Sequence, residues 1–374
     1  MKPNTMKFNT LVTTIALSIG LSFAAYADNT LKIAIAGPFS GPVAPYGDMQ
    51  RQGAYAAIEM INQSGGVNGQ IIEGIEHDDA CEPKQAVTVA NNIVKDNIKF
   101  VVGHLCSSST QPATDIYQDE DIVVITGSTN PGITSRGYQN IFRTIGLDSE
   151  QGVTAAQYIS GVIKPQRVAI IHDKQQYGKG VALIVKDRLV NSGVHVISTD
   201  GINHGDKDFS ALISKLKREN IDFIYYGGYH PELALIMRQA NAVGFKPTFM
   251  GPEGLGNKDI AYLAGEAVEG LLVTLPSRYD LLENNQPVVE LLKAKGVDPS
   301  GPFIWTSYAA VQALIDAIGR AGVDDPKKVA VALHQEVVDT VIGPISWNEK
   351  GDLEGFEFGI YQWHADGTGT PVAK

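Results

Sequence analysis

Between Leu31 and Pro276 short β-rich runs alternate with helical patterns, and this alternation restricts the available folds more than any other feature. A strand that feeds a helix and then another strand needs a crossover, so repeated units predict an α/β fold with parallel sheets. The runs are "LKIAIAGPF" (31–39), "IIEGIEHDD" (71–79), "KFVVGHL" (99–105), "DIVVITG" (121–127), "QRVAIIHD" (166–173), "VHVISTDGI" (194–202), "DFIYYGG" (222–228), "PTFMGPEG" (247–254) and "EGLLVTLP" (269–276). Several are apolar on both alternating faces, as strands covered on both sides must be. Helical stripes fit between them. Ala54, Ile58 and Ile61 share one face of "GDMQRQGAYAAIEMINQ" (47–63), and "PKQAVTVANNIVKD" (83–96) opens on proline.

The runs form two similar sets, Leu31 to Gly127 and Gln166 to Pro276, each with the pattern of a Rossmann-like half. "RTIGLDSEQG" (143–152) between them reads as a crossover. Beyond Pro276 the pattern is mostly helical, in "FIWTSYAAVQALIDAIGRAG" (303–322) and "DPKKVAVALHQEV" (325–337), and is expected to return to the first set. "GPISWNEKGDLEGFEFGIYQWHADG" (343–367) then reads as a hairpin-like end that crosses again. A chain that passes between lobes more than once makes a hinge rather than a loose linker. The length of 374 residues accommodates two domains. The expected division is 28–147 with 277–356 in lobe 1 and 148–276 with 357–374 in lobe 2, after a leader of residues 1–27.

The leader has a basic start at Lys2 and Lys7, then "LVTTIALSIGLSFAA", then the small-x-small triplet Ala25-Tyr26-Ala27. This pattern predicts export, with cleavage after Ala27. No cysteine stands at the cut, so no lipid anchor is expected. Loss of the two lysines takes the net charge from −11 to −13. That balance argues against nucleic acid and anionic membrane surfaces as partners. Export also implies an oxidising compartment, so the two cysteines, Cys81 and Cys106, are expected to pair. A catalytic thiol is the alternative, and it would need a base beside it.

In parallel α/β sheets ligands bind beyond the carboxyl ends of strands. Polar and aromatic groups gather there: Tyr46 after the first run, "CSSST" with Ser107 after "FVVGHL", and "STN" with Ser128 and Thr129 after "VVITG". In the second set Tyr177, Tyr229 and Glu253 follow "IIHD", "IYYGG" and "TFMGP". Small hydroxyl residues at a helix start let a carboxylate approach free N–H groups and add donors of their own. N-capping alone would also account for either site. Glu253 supplies a negative charge from the opposing lobe, which a ligand ammonium would match. Tyr46, Tyr177, Tyr229 and Phe303 can wall an apolar pocket. No G-x-S-x-G elbow, phosphate loop or histidine pair at metal-ligand spacing occurs, so neither a catalytic residue nor a metal or cofactor is expected.

The stretches "DDACEPKQAVTVAN", "GHLCSSSTQPATDIY", "GLDSEQG", "KPQRVAIIHDKQQYG", "IDFIYYGGYHPE", "FMGPEG" and "DPSGPFIWTSYAA" resemble the periplasmic leucine/isoleucine/valine-binding proteins of branched-chain amino-acid ABC importers. The resemblance runs from about Leu31 to Trp363. It implies a type I periplasmic-binding fold, two lobes joined by a three-crossover hinge. Ser107 would take the ligand carboxylate, Thr129 both carboxylate and ammonium, and Glu253 the ammonium, with Tyr229 meeting the ligand from the second lobe. Tyr46, Tyr177 and Phe303 would line the side-chain pocket, and the resemblance implies a Cys81–Cys106 disulfide as well. The loop "ITGSTNPGITSRGYQ" is one residue shorter than the family's, which leaves Ser128, Thr129 and Asn130 as alternatives for the contact and changes the wall at Gly132 and Ile133. The function implied is a monomeric receptor that carries a Leu/Ile/Val-class amino acid to a membrane permease. A sensory receptor for amino acids or amides on the same fold is the alternative.

Overall fold

The computed structural model describes Met1 and residues 30–372. The expected leader and its cleavage after Ala27 lie outside the described residues. Five parallel strands make the first sheet: β1 (Thr30–Gly37), β2 (Ile71–Asp78), β3 (Phe100–Gly103), β4 (Val123–Thr126) and β5 (Ile141–Arg143), in the order β2-β1-β3-β4-β5. The second sheet holds β6 (Val168–His172), β7 (Val196–Gly201), β8 (Phe223–Gly227), β9 (Thr248–Gly251) and β10 (Leu272–Leu275). A small ladder, β11 (Val338–Thr340) with β12 (Gly343–Ile345), precedes β13 (Gly359–Trp363) and β14 (Gly369–Pro371). These last two extend the second sheet antiparallel to β10, in the order β14-β13-β10-β9-β8-β6-β7.

Helices cover both faces of each sheet. The first carries α1 (Ala44–Gln63), α2 (Pro83–Lys95) and α3 (Ser107–Asp119), together with α9 (Gln286–Ala294), α10 (Pro302–Ala321) and α11 (Pro326–Gln335). The second carries α4 (Asp148–Tyr158), α5 (Gln176–Asn191), α6 (Ser210–Arg218), α7 (His230–Ala242) and α8 (Asp259–Ala264). Burial on both sides explains why β3, β4 and β8 are continuous apolar runs. α10 begins on Pro302 and ends where Gly322 turns left-handed at φ +70°, and its buried flank includes Trp305 and Leu314.

The chain leaves the first lobe after β5, returns after β10, and crosses again between β12 and β13. β5 is a strand that the sequence did not suggest, and its last residue, Arg143, opens the stretch read as a crossover. β5 pairs with β4, and Gly351 of the third crossover packs against it so closely that a Cβ there would stand 2.0 Å from the Ile141 carbonyl oxygen. In each sheet the strand order reverses beside the first strand, so β1, β3 and β4 face β6, β8 and β9 with their carboxyl ends toward one cleft.

Candidate functional site

The cleft closes on a cavity of about 20 Å³ lined by Tyr46, Leu105, Ser107, Gly127, Thr129, Tyr177, Tyr229, Glu253, Gly254 and Phe303. That is room for about one water molecule, so a larger guest enters only when the lobes part. Seven of the eight ligand residues expected from the sequence line this cavity. Ser128 does not, because its hydroxyl is engaged within the first lobe, with Thr110 Oγ1 at 2.5 Å and the Leu105 carbonyl at 2.8 Å. Asn130 turns another way: Oδ1 accepts from Gly132 N, and Nδ2 donates across the cleft to the Gln176 carbonyl at 3.3 Å. Of the three alternatives in that loop, Thr129 is the one in the cavity wall.

Glu253 stands just past β9, on a short 3-10 turn at Glu253–Leu255, and is 3% exposed. Thr129 Oγ1 donates to its Oε1 at 3.3 Å, while Oε2 is buried without a hydrogen-bond partner. Burial first, and then the negative charge of Asp148, push this carboxyl from 4.5 up to about 8. Asp148, the first residue of α4, is fully buried and also has one unpartnered oxygen, Oδ2. Burial raises it to about 7, against the hydrogen bond from Gln151. Gln151 Nε2 donates to Asp148 Oδ1 at 2.8 Å, and its Oε1 accepts from Thr274 Oγ1 at 2.8 Å and from Glu253 N at 3.4 Å. Two buried acids that share Gln151, one of them in the cavity wall, would be stabilised by a cation placed there.

The opposite requirement is met at α3. Ser107 is its first residue, behind Cys106 as N-cap, so the N–H groups and the positive end of the helix dipole point at the cavity. Cys106 is bonded to Cys81 with a Cα–Cα distance of 5.5 Å, which ties this helix start to the loop after β2. Beneath it Asp79 accepts from Cys81 N at 2.7 Å and meets His104 Nδ1 at 2.5 Å, and His104 Nε2 meets the Tyr117 hydroxyl at 2.9 Å. These buried groups fix the loop that presents Ser107.

Aromatic rings form the remaining wall. Tyr46 crosses Phe303 edge-on at 5.5 Å, and Tyr229 lies 5.8 Å from Tyr46 and 5.1 Å from Tyr177. The Tyr46 hydroxyl reaches over the cleft and donates to the Gly254 carbonyl at 2.5 Å. Its single proton is thereby used, so His230 Nδ1, 3.0 Å away, must be the donor to it. His230 is neutral, since burial pulls it down to about 4. Gly254 N donates to the Tyr177 hydroxyl at 2.8 Å, and Cys81 Sγ lies 3.9 Å from the Tyr229 hydroxyl. Asp148, Gln151 and Leu105 belong to this site and were not singled out from the sequence. Leu105 stands inside "GHLCSSST", two residues before Ser107, and that position was its available signal.

A periplasmic binding protein family model matches residues 30–368. The chain is 56% identical over 355 residues to a Leu/Ile/Val/Thr-binding protein of Salmonella typhimurium, covering 95% of this chain and 96% of that one. It is 55% identical to a Leu/Ile/Val-binding protein of Escherichia coli over the same shares. It is 52% identical to a leucine-, isoleucine-, valine-, threonine- and alanine-binding protein of Pseudomonas aeruginosa, over 100% of both chains. Among solved structures, a leucine-binding protein of Thermotoga maritima superposes with a TM-score of 0.85 at 28% identity, covering 92% of this chain and 98% of that one. A substrate-binding protein of Streptococcus pneumoniae in complex with isoleucine shares the fold, with a TM-score of 0.82 at 23% identity over 92% and 99% of the two chains. With its two-lobed α/β architecture and a family match over nearly all of the described residues, the chain belongs to the periplasmic binding protein family.

Proposed function

We propose that the protein is a non-enzymatic periplasmic receptor that captures a branched-chain, aliphatic amino acid between its lobes and delivers it to an ABC importer. One observation carries the reading: Glu253 is a buried carboxyl with an unpartnered oxygen, facing Thr129 in a cavity walled largely by the rings of Tyr46, Tyr177, Tyr229 and Phe303. A free zwitterion with an apolar side chain complements that arrangement. Its carboxylate meets Ser107 and the N-terminus of α3, and its ammonium meets Thr129 and Glu253. Its side chain lies among Tyr46, Leu105, Tyr177, Tyr229 and Phe303. Ser128 supports from behind. The names of the relatives from Salmonella, Escherichia and Pseudomonas, all including leucine, isoleucine and valine, support the substrate class.

In this reading the lobes, 28–147 with 277–356 and 148–276 with 357–374, rotate about the three crossovers. The closed pair of faces is what a membrane permease recognises. The chain acts as a monomer after export and cleavage behind Ala27. A thermal-shift screen of the amino acids tests the substrate class. At a hundredfold excess over Kd a bound ligand adds about 2.7 kcal/mol of stability by mass action. Leucine, isoleucine and valine are expected to raise the melting temperature, while acidic and basic amino acids leave it unchanged. No shift with any aliphatic amino acid would overturn the reading.

A further inference from the structure

Arg143 ends β5, where the chain leaves the first lobe, and its side chain is fully buried. Nε donates to Asp352 Oδ1 at 3.0 Å, and Nη1 donates to the Ser128 carbonyl. Nη2 donates to the Asn130 carbonyl at 3.3 Å and to Thr134 Oγ1 at 2.7 Å. Thr134 in turn donates to Asp352 Oδ1 at 2.5 Å. The carbonyl between, that of Thr129, accepts from Asp148 N at 2.9 Å. Three consecutive carbonyls, those of residues 128, 129 and 130, are therefore held by donors from Arg143 and Asp148. These two residues flank the first crossover.

The third crossover meets the same point. Asp352 lies on it, Arg143 N donates to the Gly351 carbonyl at 3.1 Å, and Trp347 Nε1 donates to the Arg143 carbonyl at 2.7 Å. A buried ion pair is a poor source of stability, because desolvation offsets the attraction. Its planar fork, in contrast, fixes several acceptors in one geometry, which an ammonium cannot do.

We propose that Arg143 is a positioning residue that sets the place of the Thr129 hydroxyl and, through Asp352, couples that place to the hinge. The inference rests on the reading that a guest amino acid is gripped at Thr129. A ligand that pulls on Thr129 then biases the two crossovers, because loop and hinge share one rigid cation.

The test uses the mature chain with leucine as probe. Arg143→Lys keeps the charge and loses the fork. Titration calorimetry gives leucine affinity for wild type, Arg143→Lys, Thr129→Ala and the double variant, with melting of each in the absence of leucine as a control on folding. Arg143→Lys is expected to weaken leucine about tenfold, and no more than about threefold when added to Thr129→Ala. That non-additivity is what action through Thr129 requires. Asp352→Asn, which leaves the fork in place, is expected to give the same pattern and serves if Arg143→Lys does not fold. Unchanged affinity, or losses that multiply in the double variant, overturns the inference while wild-type binding keeps the site reading intact. A wild type that takes up no aliphatic amino acid overturns the site reading, and this inference with it.

Discussion

Replacing Glu253 by glutamine removes one charge and almost no volume, and the structure assigns it two effects of opposite sign. In the closed cleft the carboxyl is raised from 4.5 to about 8 by burial and by Asp148. Parting the lobes returns it to water and to an ordinary value. Closing an empty cleft at pH 7 therefore costs the uptake of a proton across about two and a half pH units. At 1.36 kcal/mol per unit this opposes closure by a few kcal/mol, on the order of 3. A guest ammonium removes that cost by standing where the proton would, and its attraction at 4 Å is about 4 kcal/mol at an effective dielectric of 20. Glutamine carries neither effect. Leucine is expected to bind Glu253→Gln more weakly by about 2–5 kcal/mol, while the leucine-free variant closes more readily than the wild type. The sign with pH follows from linkage. The closed form has the higher pKa and binds the proton more tightly, so empty closure of the wild type is opposed above pH 8. It becomes easier as pH falls toward 4.5. Asp148, raised by burial, adds a step of the same sign in the wild type. Small-angle scattering of leucine-free protein at pH 5 and pH 8, beside calorimetry with leucine, measures both effects. A Glu253→Gln protein as open as the wild type at pH 8 would refute the argument that the buried charge holds the empty cleft apart. Unchanged leucine affinity would remove Glu253 as the counter-charge of the ammonium.

Replacing Cys81 and Cys106 together by serine opens a loop of 25 residues and is expected to cost about 3 kcal/mol of stability, read from the denaturation midpoint. Tyr46→Phe deletes the hydroxyl shared by the Gly254 carbonyl and His230, leaving both buried groups unsatisfied. Leucine affinity is expected to fall by about 1–3 kcal/mol in calorimetry, and an unaltered value would show that this bond does not hold the lobes together. A Cβ at Gly127 would stand 2.8 Å from Leu105 Cδ1. Gly127→Ala is therefore expected to push Leu105 into the cavity and to shift preference from leucine toward valine in a competition assay.

The strands that place the site were legible because they are buried on both faces, and burial writes itself as apolar runs. Tyr229 and Glu253 stand at the ends of such runs and Tyr177 four residues beyond one, so the rule that ligands sit beyond strand ends pointed to residues that line the cavity. β5 was not legible. Its three residues, Ile141, Phe142 and Arg143, end on a charge, and arginine is ordinarily exposed. Asp148 and Gln151 are hidden for the same reason: acids and amides at a helix start look like caps, and nothing local says that this helix start is fully enclosed. The choice among Ser128, Thr129 and Asn130 depends on loop torsions. Those torsions are held by Arg143 and Asp148, partners that no local pattern connects to the loop.

Because one phenol both lines the cavity and bonds across the cleft to the Gly254 carbonyl, the shape of the cavity and the closure of the cleft cannot be adjusted independently at position 46. A smaller residue there would admit bulkier substrates and at the same time release the clasp. Descendants of this scaffold that accept larger cargo should therefore make their room at Leu105 or Phe303, whose side chains carry no polar tie across the divide, and keep the tyrosine.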